Sequence, residues 1–127
     1  MIKQDYLIRM IQEIVTALVD ALLRRRKITR TEWNEYEGIA QQILGTTPTQ
    51  LQTMTADDVL TLYQTDTDKI ELTAMILLKM AEDSEGNLLL KSKLRQDGLT
   101  LLHHVQTHGN TYSLQRELLI TLLKTSL

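Results

Sequence analysis

The sequence contains no cysteine, so disulfides and thiolate metal ligands are excluded. It has one proline and no phenylalanine, and aromatic residues make up only 4% of the chain. The five glycines are isolated, and the pair Asp97-Gly98 lies inside a helical pattern rather than between two strands. A β-sandwich or barrel needs turn residues at short spacing. These scarcities favour an all-α protein.

Long charge-free hydrophobic runs are also missing. Arg9 and Glu13 interrupt the first apolar segment, and its charge-free stretch at residues 14–19 is far shorter than the roughly 20 residues that span a bilayer. A secretory signal is not expected either, because such a signal has an uncharged core. The net charge of −2 gives no bulk attraction to nucleic acid. We expect a cytoplasmic, single-domain protein over residues 1–127, with no membrane span and no cofactor.

Apolar residues recur with helical spacing along the chain. The pattern predicts about seven helices in an antiparallel array, because the connecting loops are short. The last three helices favour tetratricopeptide-like hairpins, although their spacing exceeds the 34-residue period and the Trp-Leu-Gly-Tyr signature is absent. The predicted helices are residues 3–26, residues 31–44, two short helices opening at Thr47-Pro48 and at Thr55, and residues 67–83, 88–107 and 113–127.

Residues at the ends of these segments support the prediction. Side chains of Thr, Asn, Asp and Ser cap helix N-termini, and glycine commonly follows the last turn. Gly98 instead lies mid-helix, where glycine costs about 1 kcal/mol relative to alanine. It therefore predicts close approach of a neighbouring helix. The predicted N-caps are Thr31, Thr55 and Ser113, and the predicted terminating glycines are Gly45, Gly86 and Gly109.

The first helix is apolar around most of its circumference. Such a helix lies centrally or between two partners, since each Leu or Ile left in water forgoes about 1.5–3 kcal/mol of burial. We predict that other helices or a partner protein cover it. In the second case the chain forms a homodimer, or a groove for a peptide helix, through Ile8, Ile11, Val15 and Val19.

Three stretches carry a resemblance: the opening MIKQDYLIRMIQEI, the basic run after the first helix, and the closing NTYSLQRELLITLL. Together they resemble a family of small uncharacterised bacterial proteins that begin Met-Ile-x-x-Asp-Tyr-Leu-x-Arg-Met-Ile. The resemblance implies an all-helical fold with a tetratricopeptide-like C-terminal half. It implies no known activity and supplies no catalytic residues.

The histidines form the sharpest cluster of chemically active side chains. His104 and His108 are four residues apart and share a helix face, with Asp97 on the same side two turns earlier, so a metal site is one interpretation. The zincin motif has a Glu directly after its first His, and here Val105 stands in that position. The third ligand of that motif is missing as well. The alternative is that protonated imidazoles favour the negative end of the helix dipole.

A second cluster is the basic run Arg24, Arg25, Arg26 and Lys27. Residues 1–30 carry seven Lys/Arg against three Asp/Glu, whereas residues 31–71 carry one against eight. The simplest interpretation is internal charge complementarity or solvation. A binding site for an anion, a nucleic acid or an acidic partner is the alternative, although the aromatic platforms of a nucleic-acid reader are not evident.

Other catalytic patterns are weak. The acidic residues lie mostly at predicted helix N-termini, where capping explains them, and no Gly-x-Ser-x-Gly elbow or glycine-rich phosphate loop occurs. The sequence therefore predicts a non-enzymatic protein-interaction or scaffold module. A histidine-based metal-binding or small hydrolytic protein is the first alternative, and a binder of nucleic acid or an acidic partner is the second.

Overall fold

The computed structural model describes residues 4–24, 30–84, 86–109 and 113–126. In these segments the chain forms seven α-helices and no strand, which confirms the all-α prediction. Because α2 begins at Arg30, Thr31 lies inside the helix and not at its N-cap. The helices are α1 (Gln4–Arg24), α2 (Arg30–Leu44), α3 (Pro48–Thr53), α4 (Ala56–Tyr63), α5 (Thr67–Asp83), α6 (Leu88–His108) and α7 (Leu114–Ser126).

Local side chains start the two short helices. The hydroxyl of Thr47 accepts the backbone N–H of Gln50, whose side chain in turn accepts the N–H of Thr47. Thr55 and Asp58 make the same reciprocal pair at α4. Both are capping boxes, which satisfy two otherwise unpaired N–H groups. The second confirms the prediction from Thr55, with Asp in the position usually held by Glu.

Other helix ends follow the sequence with one exception. Gly45 takes the left-handed conformation after α2, with φ of +71°, and Ser113 accepts the N–H of Arg116 to start α7. Gly109 directly follows α6. The prediction for Gly86 is wrong: α5 ends at Asp83, and the N–H of Ser84 closes it by donating to Ala81.

Helix α5 lies at the centre of the fold. It packs against α1, α2, α3, α4 and α6, and every residue from 70 to 79 is buried. Helix α1 buries one side, in contact with α5 and α7, and leaves Arg9, Glu13 and Thr16 exposed. The most enclosed helix is therefore α5 and not the first helix. None of the described helices is both long enough and apolar enough to cross a bilayer.

Gly98 marks the close approach of α5 and α6. A Cβ at this position would lie 2.7 Å from Cδ2 of Leu78 and 3.5 Å from the carbonyl oxygen of Ala74. This confirms the prediction that a neighbouring helix approaches there. Gly38, which is also inside a helix, has no neighbour within 4 Å of the corresponding position.

Two tyrosines hold α2 in place. The hydroxyl of Tyr36 donates to Oε2 of Glu13 on α1 at 2.9 Å. The hydroxyl of Tyr63 on α4 donates to the carbonyl oxygen of Leu44 at 3.0 Å, which satisfies one of the free carbonyls at the end of α2. Partial burial raises the pKa of Tyr63, and the charge of Asp66 adds to this effect.

Candidate functional site

The α1 residues predicted to form an interface lie mostly in the core. Ile11, Val15 and Val19 are buried by the chain's own helices, whereas Ile8 is 41% exposed. Of the two ways to cover the first helix, the chain uses its own helices along this side. A partner that approaches the folded chain would reach only Ile8 of this set.

The basic cluster is described only at its first residue. Arg24 is exposed, and its Nε lies 2.9 Å from Oδ1 of Asp20, one turn earlier on α1. An exposed pair of this spacing contributes roughly 0.3–0.5 kcal/mol. Arg25, Arg26 and Lys27 lie outside the described residues, so binding of an anion or acidic partner by this cluster stays a prediction.

The structure brings two of the three histidines together. The rings of His104 and His108 stack with centroids 4.4 Å apart and planes 22° from parallel. Nδ1 of His108 is 3.2 Å from the carbonyl oxygen of His104. Partial burial and the charge of His108 lower the pKa of His104. His103 is separate from the pair, with Nδ1 3.5 Å from the hydroxyl of Thr107.

Asp97 is engaged elsewhere. Its Oδ2 lies 2.8 Å from Nζ of Lys93, which also donates to the carbonyl oxygens of Gln52 and Met54. Lys93 thus places a positive charge at the C-terminal end of α3, where the helix dipole favours it. Asp97 precedes His104 by seven residues, about 10 Å along a helix axis. Asp97 therefore does not join the histidine pair.

A protein-ligated metal centre needs several His, Asp or Glu side chains close together. In residues 4–24, 30–84, 86–109 and 113–126, no group of three or more His, Asp or Glu side chains is positioned to hold a metal ion. A fully protein-ligated centre of the kind seen in structural zinc sites is thus not formed by these residues.

A buried ion pair joins α5 to α7. Arg116 donates through Nε to Oε2 of Glu71 at 2.6 Å and through Nη2 to Oε1 at 3.1 Å. Both residues are buried, Glu71 with 5% and Arg116 with 6% exposure. Two parallel hydrogen bonds make this the strong, bidentate form of the interaction. The geometry fixes α7 relative to the central helix.

Helix α6 completes this network through Gln106. Its side-chain oxygen accepts from Arg116 at 2.6 Å, and its nitrogen donates to Glu117 and to the carbonyl oxygen of Ser113. Removing two charges from water costs several kcal/mol per ion, which is offset only when the remaining polar atoms are hydrogen-bonded. Here these partners are present, so the network is structural and specifies how α5, α6 and α7 fit together.

Sequence reasoning did not single out Glu71 or Arg116. Glu71 is the one charged residue between Ile70 and Leu78 in the printed sequence, and Arg116 shares the spacing of the apolar residues Leu119, Ile120 and Leu123. A lone charge at an apolar position of each helix was the available signal. The pairing itself joins residues that are 45 positions apart.

A second ion pair crosses between α5 and α6. Nη2 of Arg95 lies 2.7 Å from Oε1 of Glu82, and both side chains are largely buried. Nε of Arg95 is buried without a hydrogen-bond partner. Lys79, also buried, pairs with Asp83 on its own helix at 2.6 Å. These contacts account for the charges that interrupt the apolar pattern of α5.

The middle of the outer face of α7 carries no charge, and the exposed Lys124 lies at its edge. Four residues at spacings of four, three and four are all exposed, and the opposite face is buried against the core. Leu114 is 78% and Leu118 is 40% exposed. The outer residues are Leu114, Leu118, Thr121 and Thr125, and the buried ones are Arg116, Leu119, Ile120 and Leu123.

The two threonines on this face use their hydroxyl groups as donors within α7. The hydroxyl of Thr121 donates to the carbonyl oxygen of Glu117, and that of Thr125 to Leu122. Because each hydroxyl already donates within α7, neither residue presents an unpaired donor to a partner. The outer face of α7 is thus a stripe of leucine and threonine without a free hydrogen-bond donor at its threonines.

Exposed leucines also occur outside α7. Leu88 and Leu89 at the start of α6 are 76% and 86% exposed. Leu62 on α4 is exposed as well. These leucines are adjacent in sequence or single, and they do not form a stripe along a helix as those of α7 do.

No protein-family model, curated protein or solved structure matches this chain. The family resemblance and the tetratricopeptide-like stacking therefore stay predictions.

Proposed function

We propose that the protein is a non-enzymatic interaction module that associates with a second copy of itself through the outer face of α7. The observation that carries the proposal is the exposed, uncharged stripe of Leu114, Leu118, Thr121 and Thr125. Its spacing of four, three and four is that of a coiled-coil seam, in which each apolar residue packs between residues of the facing helix.

The energetics favour covering this stripe. Burial of an exposed Leu side chain stabilises an interface by about 1.5–3 kcal/mol before the entropy of association is subtracted. Helix α7 has 13 residues, about 20 Å of helix, so one helix face buries less than the roughly 1,200–2,000 Å² of a standard interface. We therefore expect weak self-association, with a Kd in the micromolar to millimolar range.

The charges beside the stripe favour a second copy in antiparallel orientation. Glu117 and Lys124 lie on the same flank of α7, two turns apart. An antiparallel copy brings its lysine to the glutamate of the first chain, and the two-fold axis repeats the contact. Complementary charges at the edge of a helical seam select partner and orientation.

Analytical ultracentrifugation of tag-free protein from micromolar to millimolar concentration tests the proposal. We expect concentration-dependent dimer formation that Leu118→Lys abolishes, because a charge would then lie in the centre of the seam. Leu89→Lys, which alters a leucine on α6 that is even more exposed than Leu118, is the control and should leave the dimer intact. Circular dichroism confirms that both variants keep their helical content.

A further variant examines the orientation. Lys124→Glu places like charges opposite each other in the antiparallel pair and should weaken the dimer, more so at low salt. A wild-type chain that stays monomeric throughout, or a dimer that Leu89→Lys disrupts as strongly as Leu118→Lys, would rule out self-association through α7. A monomer that instead binds an amphipathic helix of another protein assigns this face to a different occupant.

A further inference from the structure

We propose that His104 and His108 form a chelating pair for a divalent transition-metal ion such as Zn²⁺, at the C-terminal end of α6. This site is separate from the outer face of α7 and goes beyond the proposed self-association. Three features of the pair carry the inference: the spacing of the rings, the hydrogen bond that orients one of them, and their position at a helix end.

The spacing places both imidazoles within reach of one ion. Residues four apart lie one above the other, about 6 Å along a helix axis, and the same spacing puts two histidines on one zinc ion in helical metal motifs. In this structure the ring centroids are already 4.4 Å apart. Binding then requires side-chain rotations that open the stack and direct one nitrogen of each ring at the ion.

The tautomer of His108 is suited to metal binding. With Nδ1 at 3.2 Å from the carbonyl oxygen of His104, the Nδ1–H donates to this oxygen and Nε2 keeps its lone pair. Metal-bound histidines nearly always donate their other N–H to a carbonyl or carboxylate, which fixes the ring and raises its basicity. The orienting hydrogen bond is therefore present before any metal arrives.

The position of the pair also favours a cation. Helix α6 ends at His108, which lies in its last turn, and the unpaired carbonyls of this end carry partial negative charge that favours a cation. His108 is exposed and His104 partly so. Water therefore has access to the coordination positions that the two imidazoles leave open. Imidazole nitrogen is a preferred ligand of zinc, copper and nickel ions.

Calorimetric titration of the tag-free protein with ZnCl₂ tests the site. We expect one ion per chain. Affinity should fall in His104→Ala and in His108→Ala by at least the roughly tenfold that loss of an outer-shell partner of a ligand costs, because each variant removes a ligand itself. His103→Ala is the matched control, because it removes an exposed histidine of the same helix turn that points away from the pair. Its affinity should stay within about twofold of the wild type.

Long-range ¹H–¹⁵N spectra of the histidine rings provide a second readout. Zinc should shift the Nε2 resonance of His108, with Nδ1 kept protonated by the carbonyl of His104. The proposal is overturned by the absence of binding up to millimolar zinc, by equal losses in His103→Ala and His104→Ala, or by zinc at Nδ1 of His108. Titration of Leu118→Lys, which should bind zinc as the wild type does, separates this site from the α7 interface.

Discussion

Helices α5 and α1 are both rich in apolar residues, but they occupy different environments. Helix α5 packs against five other helices and is joined to the sixth, α7, through the pair of Glu71 with Arg116. Its charged residues Glu71 and Lys79 are both buried and paired. Helix α1 is covered on one side, and its pair Asp20–Arg24 lies at the surface. The width of a helix's apolar face therefore shows how much surface the helix can bury, whereas its neighbours decide how much surface it does bury.

An ion pair should contribute much more to the free energy of unfolding in α5 than in α1. Glu71→Ala leaves the Arg116 guanidinium buried without its carboxylate, which should lower the free energy of unfolding by about 3–5 kcal/mol. Arg24→Ala removes the exposed pair of α1 and should change it by at most about 0.5 kcal/mol. Urea-induced unfolding monitored by circular dichroism measures both values.

A double variant distinguishes the desolvation effect from loss of packing. Glu71→Leu combined with Arg116→Leu removes both charges, and it should recover much of the stability that Glu71→Ala loses. If Glu71→Ala costs no more than Arg24→Ala, the buried pair does not have the weight that we assign to it.

Truncation of apolar side chains should follow burial and not helix identity. Ile76→Ala in α5 and Ile14→Ala in α1, each at 1% exposure, should both cost about 2–5 kcal/mol. Ile8→Ala, at 41% exposure on α1, should cost less than about 1 kcal/mol. Thermal and denaturant unfolding measure these losses of stability. A small loss for Ile14→Ala would show that α1 does not share the core that α5 occupies.

Two glycines inside helices should respond in opposite directions to substitution by alanine. Gly98→Ala forces Leu78 to move at the junction of α5 and α6, and overpacking of this kind costs about 1–3 kcal/mol, which outweighs the gain in helix propensity. Gly38→Ala meets no neighbour and should stabilise α2 by up to about 1 kcal/mol. Two melting temperatures that shift in the same direction would contradict the close approach of α5 and α6.

The smallest predicted effect is a loss of stability at high pH through Tyr63 on α4, a helix that packs against α5. Because burial raises the pKa of Tyr63 above its ordinary value of 10.0, the folded chain holds this proton when the unfolded chain has released it. Stability should thus be fully present below pH 10 and fall as the pH rises through the raised pKa. The slope of unfolding free energy against pH should be shallower in Tyr63→Phe, and an unchanged slope would show that this phenol does not contribute.

Local features of the fold were predictable from the sequence. The capping box at Thr55, the turn at Gly45 and the close approach at Gly98 each depend on a residue and its immediate neighbours, so the amino-acid type carries the information. The helical pairing of His104 with His108 was predictable for the same reason, because a spacing of four fixes a shared face.

Features that depend on tertiary contacts could not be obtained in this way. Glu71 and Lys79 place charges in the apolar pattern of α5, which is not typical of an enclosed helix. The sequence does not show that Arg116 pairs with Glu71. Asp97 shares a face with the histidines, but its bond to Lys93 depends on where the end of α3 lies. The exposed leucines of α7 have the same helical spacing as its buried residues. The sequence alone therefore does not show which of the two sets faces the core.

The pairing of Glu71 with Arg116 has a consequence for synthesis of the chain. The two residues are 45 positions apart, so α5 is translated well before its counter-charge. Enclosing a carboxylate that lacks a cation is strongly unfavourable, and a nascent chain that ends before residue 116 gains little by closing around α5. The arrival of α7 thereby sets the moment at which the growing polypeptide can seal its interior.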